Sequence, residues 1–104
     1  MKTPIDVTLD PECPIAYVQY SDMKTNGSFD LVRDPDGVVR EYGWEDPEDE
    51  YFGVVVDLDP NDEVVGIEIL NIDDPLEIGL ARDFAADHEL EFPADIRAAA
   101  RILA

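Results

Sequence analysis

The chain has 104 residues and a formal net charge of −19, which results from 26 acidic and 7 basic side chains. This length fits a single domain, and a hydrophobic content of 45% can fill a modest core. So negative a surface repels phosphate, which argues against direct binding of nucleic acid and favours a basic protein partner. Adaptation to high salt, or a genome biased toward Asp, would give the same composition, and the sequence leaves these explanations open.

No segment of the sequence points to a membrane or to secretion. No apolar run is long enough to span a bilayer, and Met1 to Asp6 is polar with no apolar run behind it. We therefore expect a cytoplasmic protein. Residues 1–104 are predicted to form one domain, with a β-sheet region at 1–71 and a C-terminal helical segment at 74–104.

Cysteine and histidine are too few for most catalytic and metal sites. Cys13 is the only cysteine and His88 the only histidine, so no internal disulfide or histidine pair can form. A Cys13–His88 site would require the fold to bring two distant segments together. Glycine-rich phosphate loops and Gly-x-Ser-x-Gly are absent as well. We expect a protein without catalytic activity or cofactor, and an enzyme that uses carboxylates alone is the alternative.

Two short strands are predicted near the N-terminus. Ile5 to Leu9 and Ile15 to Tyr20 flank a turn at Asp10 to Pro14. Side chains alternate between the two faces of a strand, and both faces of the second strand carry apolar residues. The sequence therefore leaves the buried face of this strand open.

A second hairpin is predicted from Ser28 to Arg33 and from Val38 to Trp44. The two runs flank Asp34-Pro-Asp-Gly37, whose Pro and Gly suit a type I turn. This four-residue turn sets the register as Arg33 with Val38, Leu31 with Arg40 and Phe29 with Tyr42. The hairpin is less apolar than the one that follows it, so we expect it to be exposed or near a sheet edge.

The run that follows this hairpin, Glu-Asp-Pro-Glu-Asp-Glu, is strongly acidic. Like charges repel and Pro47 cannot donate to a sheet ladder, so the run is predicted to be a loop. It is either a solvated linker or a surface that receives a basic partner or a divalent cation. Its candidate partner-binding residues are Glu45, Asp46, Glu48, Asp49 and Glu50.

Residues 51–71 carry the strongest strand signal, because two runs rich in Val and Ile flank a polar Asp-Pro-Asn-Asp turn. With Asp59 opposite Val64 and a loop from Pro60 to Glu63, one register places the apolar side chains on one face. This register pairs Leu58 with Val65, Val56 with Ile67 and Val54 with Ile69, and it adds Phe52 to the predicted core. The other face carries Asp57, Asp59 and Glu68 and is predicted to be wet, with Gly53 and Gly66 as bare positions.

A family resemblance rests on this hairpin. Val56, Asp57 and Asp59, followed by Val-Val-Gly-Ile-Glu-Ile-Leu at 64–70, resemble the small domain family DUF2283. An earlier strand of that family is similar to the residues Asp10, Glu12, Tyr17, Val18, Ser21 and Asp22. The resemblance covers roughly Leu9 to Asn71. The chain departs from the family by a longer middle section, by Pro14 near the first motif, by Asp62 where a turn glycine is expected, and by a long helical tail. The family has no established activity, so the resemblance implies a small sheet and no catalytic residues.

Asp57-x-Asp59-x-Asn61 begins like a calcium-binding loop, with Glu68 at the position of the bidentate twelfth ligand. However, Asp62 stands where such a loop needs Gly, and the flanking segments are predicted to be strands. In the predicted register Glu68 also lies several pairs from the turn. We therefore predict no specific metal site, with weak binding of divalent cations by carboxylates as the alternative. An acid–base pair of Asp57 with Glu68 would need an enclosed pocket that an exposed sheet face does not offer.

After Asn71 the apolar period changes to that of a helix. Asp74 suits the N-cap and Pro75 the first helical position. Apolar residues and the histidine then recur at every fourth position, at Leu76, Leu80, Phe84 and His88, with Ala81 and Ala85 beside them. This pattern predicts an amphipathic helix that covers the apolar face of the sheet.

Ala94 to Leu103 is predicted to form a second short helix after the break at Phe92-Pro93. Its stripe is Ile96, Ala99, Ala100 and Leu103. An alanine-rich stripe buries little apolar area, so we expect this segment to be less firmly anchored than the first helix and available to a partner. Its candidate anchor residues are Ile96, Ile102 and Leu103.

Together these elements predict an α+β fold, in which an antiparallel sheet of four to six strands is built from hairpins and packed on one face by a C-terminal helix. The predicted function is that of a small acidic interaction protein, antitoxin-like or inhibitor-like, with a basic protein as partner. The alternative is a nucleic-acid mimic, which would space carboxylates along one face. A simple partner-binding protein would also bury apolar residues of the tail. The sequence leaves homodimer formation open.

Overall fold

The structure is a computed structural model that describes residues 1–33, 39–41 and 53–103. Its elements in chain order are β1 (Asp6–Leu9), β2 (Ala16–Gln19), β3 (Gly27–Arg33), β4 (Val39–Glu41), β5 (Val54–Leu58), β6 (Val64–Ile69), α1 (Pro75–Asp87), α2 (Ile96–Ala99) and β7 (Arg101–Ile102). In the described part of the chain, the strands form one open sheet in the order β4-β3-β5-β6-β2-β1-β7. The predicted α+β class is confirmed, with one strand more than the predicted range.

The hairpin of β5 and β6 lies at the centre of the sheet, and its predicted register is confirmed in the middle. Val54 pairs with Ile69 and Val56 pairs with Ile67, and all four side chains are fully buried. Phe52 lies outside the described residues. The apolar face of this hairpin is the floor of the hydrophobic core.

Near the turn the prediction is wrong by one residue. Leu58 pairs with Val64 rather than with Val65, because a β-bulge next to Leu58 leaves Val65 as the extra residue on its strand. Asp59 is also not wet, since only 3% of it is exposed. Its carboxylate accepts hydrogen bonds from the backbone N–H groups of Asn61 at 2.7 Å and Glu63 at 3.1 Å, and so holds the turn together.

The structure decides which face of β2 is buried. Ala16, Val18 and Tyr20 point into the core, whereas Tyr17 and Gln19 are half-buried on the other face. β2 pairs with β1 on one side and with β6 on the other, both in antiparallel orientation. The N-terminal strands therefore join the central hairpin directly.

The second predicted hairpin forms at the edge of the sheet with a shifted register. Arg33 pairs with Val39, and Leu31 pairs with Glu41. The predicted partners Val38 and Arg40 are each one residue away, because five residues rather than four separate the paired strands, and one extra loop residue shifts every pair by one. The connection 34–38 and residues 42–44 lie outside the described residues. The expectation that this hairpin lies at a sheet edge is confirmed.

Helix α1 packs on the apolar face of the sheet, as predicted, and the Asp74 carboxylate caps it by accepting a hydrogen bond from the Leu76 N–H. The buried stripe differs from the predicted one and consists of Glu77, Leu80, Ala81, Phe84 and Ala85. A spacing of four residues drifts by roughly 40° per turn, because a helical turn has 3.6 residues. Leu76 and His88 at the two ends are consequently exposed.

The C-terminal segment is not the helix predicted for Ala94 to Leu103. α2 has only four residues, Ala100 is extended, and β7 then pairs with β1 in parallel. The Leu103 N–H donates to the Leu9 carbonyl at 2.9 Å. A short helix of mostly alanine is marginal, whereas pairing as a strand satisfies backbone groups at the open edge of β1. The segment predicted as helical at 74–104 therefore ends in the sheet.

Candidate functional site

The face of the sheet opposite α1 is polar, and no described helix packs on it. We call it the open face, and it is formed by Asp6, Thr8, Tyr17, Gln19, Ser28, Asp30, Val55, Asp57, Gly66 and Glu68. Its alternation with the core residues follows from the period of two along each strand. Four of these ten residues carry carboxylates, and Arg101 of β7, which pairs with Thr8, adds a positive charge at the β7 edge of the same face.

The carboxylates of the open face are spread over four strands. Ser28, Asp57, Gly66, Gln19 and Asp6 are directly paired from β3 to β1. Asp30, Val55, Glu68, Tyr17 and Thr8 form the adjacent row. Because neighbouring strands lie about 4.8 Å apart, carboxylates two strands apart are separated by roughly 10 Å. This spacing allows several basic side chains to be bound side by side.

Tyr17 connects three strands of this face. Its hydroxyl donates to Asp57 Oδ2 at 2.8 Å, and the Ser28 hydroxyl donates to the other oxygen of the same carboxylate at 2.5 Å. Burial raises the pKa of the Tyr17 phenol, and the hydrogen bond to Asp57 raises it further. Tyr17 therefore remains a neutral donor in ordinary buffers, and it fixes Asp57 in place.

The two glycines predicted to be bare are in fact covered. The Tyr17 ring lies over Gly66, where a Cβ atom would overlap the ring. A Cβ atom on Gly53 would overlap the side chain of Glu77 on α1, which is buried and accepts a hydrogen bond from the Asn71 N–H at 3.1 Å. Both glycines are required because another side chain approaches the backbone closely.

A groove lies where the β5–β6 turn meets the C-terminal end of α1. It consists of two adjoining clefts of about 360 and 430 Å³, and Asp62, Val64 and His88 line both. Phe29, Leu58 and Phe84 form an apolar floor in one cleft. Lys2, Glu63 and Glu89 lie at the rim of the other. We refer to this feature as the turn groove.

The structure of the turn groove follows from how helix α1 ends. Glu89 has a φ of 57°, and the Leu90 N–H returns to the Ala85 carbonyl at 2.8 Å, which is the hydrogen bond of a Schellman motif. The His88 ring stacks on Phe84 with centroids 4.0 Å apart, and its Nδ1 lies 2.9 Å from the Phe84 carbonyl oxygen. A flat ring is thus exposed beside the helix end.

Of the predicted partner-binding residues, the structure describes only Ile96, Ile102 and Leu103. Ile96 is buried in the core, so its side chain is not available as an anchor. Ile102 and Leu103 are 52% and 43% exposed at the β7 edge. The acidic residues Glu45, Asp46, Glu48, Asp49 and Glu50 lie outside the described residues.

The structure also separates the residues that the sequence had offered for a cysteine–histidine site and for a calcium loop. Cys13 lies in the β1–β2 turn, where the Pro14 carbonyl accepts a hydrogen bond from the Ile72 N–H just beyond β6, whereas His88 lines a cleft with Val64 at the opposite end of β6. Glu68 pairs with Val55 and Tyr17 and is well away from the turn that begins at Asp59. In residues 1–33, 39–41 and 53–103, no three His, Cys, Asp or Glu side chains could hold a metal ion together. None of the helices in those ranges could span a membrane.

Comparison of the chain with protein-family models, with curated proteins and with solved structures gave no match. The resemblance of the central hairpin to DUF2283 therefore stays a prediction. Any assignment of function depends on the open face and the turn groove themselves.

Sequence reasoning placed Asp57 and Glu68 on a wet face, but it missed the rest of the open face and the whole turn groove. Asp30 and Ser28 join Asp57 only through the pairing of β3 with β5, which no local pattern in the sequence indicates. The close approach of Tyr17 to Gly66 could have been suspected from the sequence, since a glycine in a strand often marks a site where another group approaches the backbone closely. The strand that supplies Tyr17 could not be identified without the order of strands in the sheet.

Proposed function

We propose that this protein is a non-catalytic binding protein and that a basic surface of another protein docks on the open face. The observation that carries the proposal is the spacing of Asp30, Asp57 and Glu68 on three neighbouring strands. Carboxylates held on a rigid sheet lose little freedom on binding, which favours interaction with Lys and Arg side chains. A net charge of −19 adds long-range attraction.

Asp6 contributes less to the attraction of a basic partner than the other carboxylates of this face. The Arg101 guanidinium donates to Asp6 Oδ2 at 2.9 Å, and this hydrogen bond lowers the pKa of the carboxyl. Because Arg101 neutralises it, the attractive part of the open face is centred on β3, β5 and β6. This part lies away from the β7 edge, whose residues Ile102 and Leu103 were predicted to anchor a partner.

The proposal is tested by capture of a partner from a lysate of the source organism and by its identification. Asp30→Asn/Glu68→Gln should weaken binding roughly tenfold, since each exposed charge pair contributes about 0.7 kcal/mol. Glu12→Gln/Asp22→Asn makes the same change in net charge outside the open face and should bind like wild type. A partner that both double variants release equally would contradict docking on this face.

A second candidate function is that of a nucleic-acid mimic, which is favoured by the carboxylates of two adjacent rows across four strands. In that case the partner is itself a nucleic-acid-binding protein, and the open face occupies its groove. Duplex DNA or RNA should then compete with this protein for the partner. A partner that binds nucleic acid and this protein at the same time would contradict mimicry and leave the simpler proposal in place.

A further inference from the structure

The turn groove combines an apolar floor, a flat ring and an acidic rim. Phe29 and Phe84 meet edge to face with centroids 6.1 Å apart, and His88 extends this aromatic cluster to the surface. Asp62, Glu63 and Glu89 supply three carboxylates. None of the three forms an ion pair with another residue of the described ranges. Among the described lining residues, the positive charges are those of Lys2 and of the Met1 amino group.

The backbone adds negative potential at the same place. The C-terminal end of a helix carries partial negative charge, which basic side chains in the last turn usually balance. The last turn of α1 has no basic residue. The three carboxylates exceed the two positive charges of Met1 and Lys2, and no basic residue in the last turn of α1 balances the helix end, so the groove keeps an excess of negative charge. A cation bound here would compensate this excess.

The apolar floor narrows the kind of cation that fits. A hydrated metal ion requires a shell of oxygen ligands, and the floor of Phe29, Leu58 and Phe84 offers none. A guanidinium group is planar and weakly hydrated, stacks on flat rings and donates several hydrogen bonds to separate carboxylates. Ammonium groups are compact and strongly hydrated, and they gain less from the exposed His88 ring.

We propose that the turn groove receives an arginine side chain of the basic protein partner. This inference rests on the proposed function, because the arginine belongs to the protein that docks on the open face. The two surfaces adjoin, since the row with Asp57 and Gly66 is the row nearest the β5–β6 turn. A partner that lies on the open face and reaches around this turn inserts one arginine beside His88. The stem of that arginine covers Val64, and its guanidinium lies between Glu63 and Glu89.

The test uses the whole protein and a defined probe. ¹⁵N-labelled protein is titrated with the blocked tripeptide acetyl-Gly-Arg-Gly-amide and followed by NMR. Shifts are expected at the amides of residues 62–64 and 88–90 and at the His88 ring protons. The lysine tripeptide should bind several-fold more weakly, and the citrulline tripeptide, which keeps the shape without the charge, should not bind.

Matched variants separate the groove from general attraction by charge. Glu63→Gln/Glu89→Gln should weaken tripeptide binding roughly fivefold, by loss of two exposed charge interactions. Glu12→Gln/Asp22→Asn, with the same change in charge, should bind like wild type. Shifts spread over all acidic surfaces, or equal loss in both variants, would overturn the proposal. Tighter binding of a free small guanidine than of the tripeptide would assign the groove to a small molecule instead and would overturn it too.

The tripeptide titration and the test of partner docking on the open face can fail independently of each other. Asp30→Asn/Glu68→Gln leaves the turn groove intact and should bind the tripeptide like wild type. If that variant also retains the captured partner, docking on the open face is wrong, whatever the tripeptide shows. A different result is that Asp30→Asn/Glu68→Gln no longer binds the partner, while Glu63→Gln/Glu89→Gln binds it like wild type. In that case the open face binds the partner and the arginine proposal is wrong.

Discussion

Glu89, the residue after the C-cap of helix α1, has a backbone conformation that usually belongs to glycine. Its φ of 57° is left-handed, which costs an L-residue about 1–2 kcal/mol. Glu89→Gly should therefore raise the free energy of unfolding by about 0.5–1 kcal/mol, after the greater freedom of glycine in the unfolded chain is subtracted. Urea unfolding measures this change. Glu89→Gln removes the charge and keeps the conformation, so an equal gain from both variants would show that charge, not backbone strain, is responsible.

Gly66 and Tyr17 depend on each other, and their coupling can be measured. Gly66→Ala should destabilise the fold by about 1.5–3 kcal/mol, because the new methyl group displaces the Tyr17 ring and breaks its hydrogen bond to Asp57. In Tyr17→Ala the space is free, so the same methyl group should cost much less. A double-mutant cycle in urea unfolding gives the coupling energy. Additive effects would contradict the close approach of the ring to the backbone.

At the scale of the elements, the centre of the sheet is the part that cannot accept charge. Val56 and Ile67 are directly paired and fully buried, so Val56→Asp or Ile67→Asp buries a carboxylate without a partner and should unfold the protein. Glu68 is half-buried on the open face, and Glu68→Ala should change stability by less than about 0.5 kcal/mol. Circular dichroism melts decide both. A folded Val56→Asp variant would contradict the register.

The elements that sequence reasoning predicted well are those fixed by local pattern. The central hairpin and the start of α1 depend on alternation, on turn residues and on the Asp74 cap, which are all neighbours in sequence. The β-bulge next to Leu58 and the extra residue between β3 and β4 were missed because composition does not reveal loop length. The strand pairings of β2 with β6 and of β7 with β1 join distant segments and leave no local mark.

The tail was predicted to be a loosely anchored helix, and its edge-strand position leads to a different expectation. Deleting residues 101–104 should lower the free energy of unfolding by about 1–2 kcal/mol, since the pairing of β7 with β1, the hydrogen bond from Leu103 to Leu9 and some apolar contact are lost while the core remains. Arg101→Gln removes only an exposed ion pair and should leave the melting temperature nearly unchanged. A deleted protein that does not fold would make the tail part of the core.

At the scale of the whole molecule, the sequence predicted that the candidate site is acidic, but it did not predict where in the fold the acidic side chains lie. The charge alone indicated a basic partner, and the structure places acidic side chains on the open face and around the turn groove. Of the predicted anchors, Ile96 is buried, because a four-residue helix can still direct one side chain into the core, whereas Ile102 and Leu103 are exposed. Which carboxylates share a face depends on strand order, and no pattern within one strand contains that information.

The net charge also makes a prediction about stability. Folding brings 26 acidic side chains into a body with a radius of gyration of 13.2 Å, whereas an unfolded chain of this length has a radius of roughly 32 Å. Repulsion is therefore stronger in the folded state, and salt that screens it should stabilise the protein. Between about 0.01 M and about 0.1 M NaCl the screening length falls from about 30 Å to about 10 Å, and the melting temperature should rise.

Choline chloride at equal ionic strength should give the same rise, because the effect requires no specific site for the cation. A saturable rise at micromolar calcium or magnesium would instead show a tight metal site, and a flat response to NaCl would mean that self-repulsion does not limit the fold.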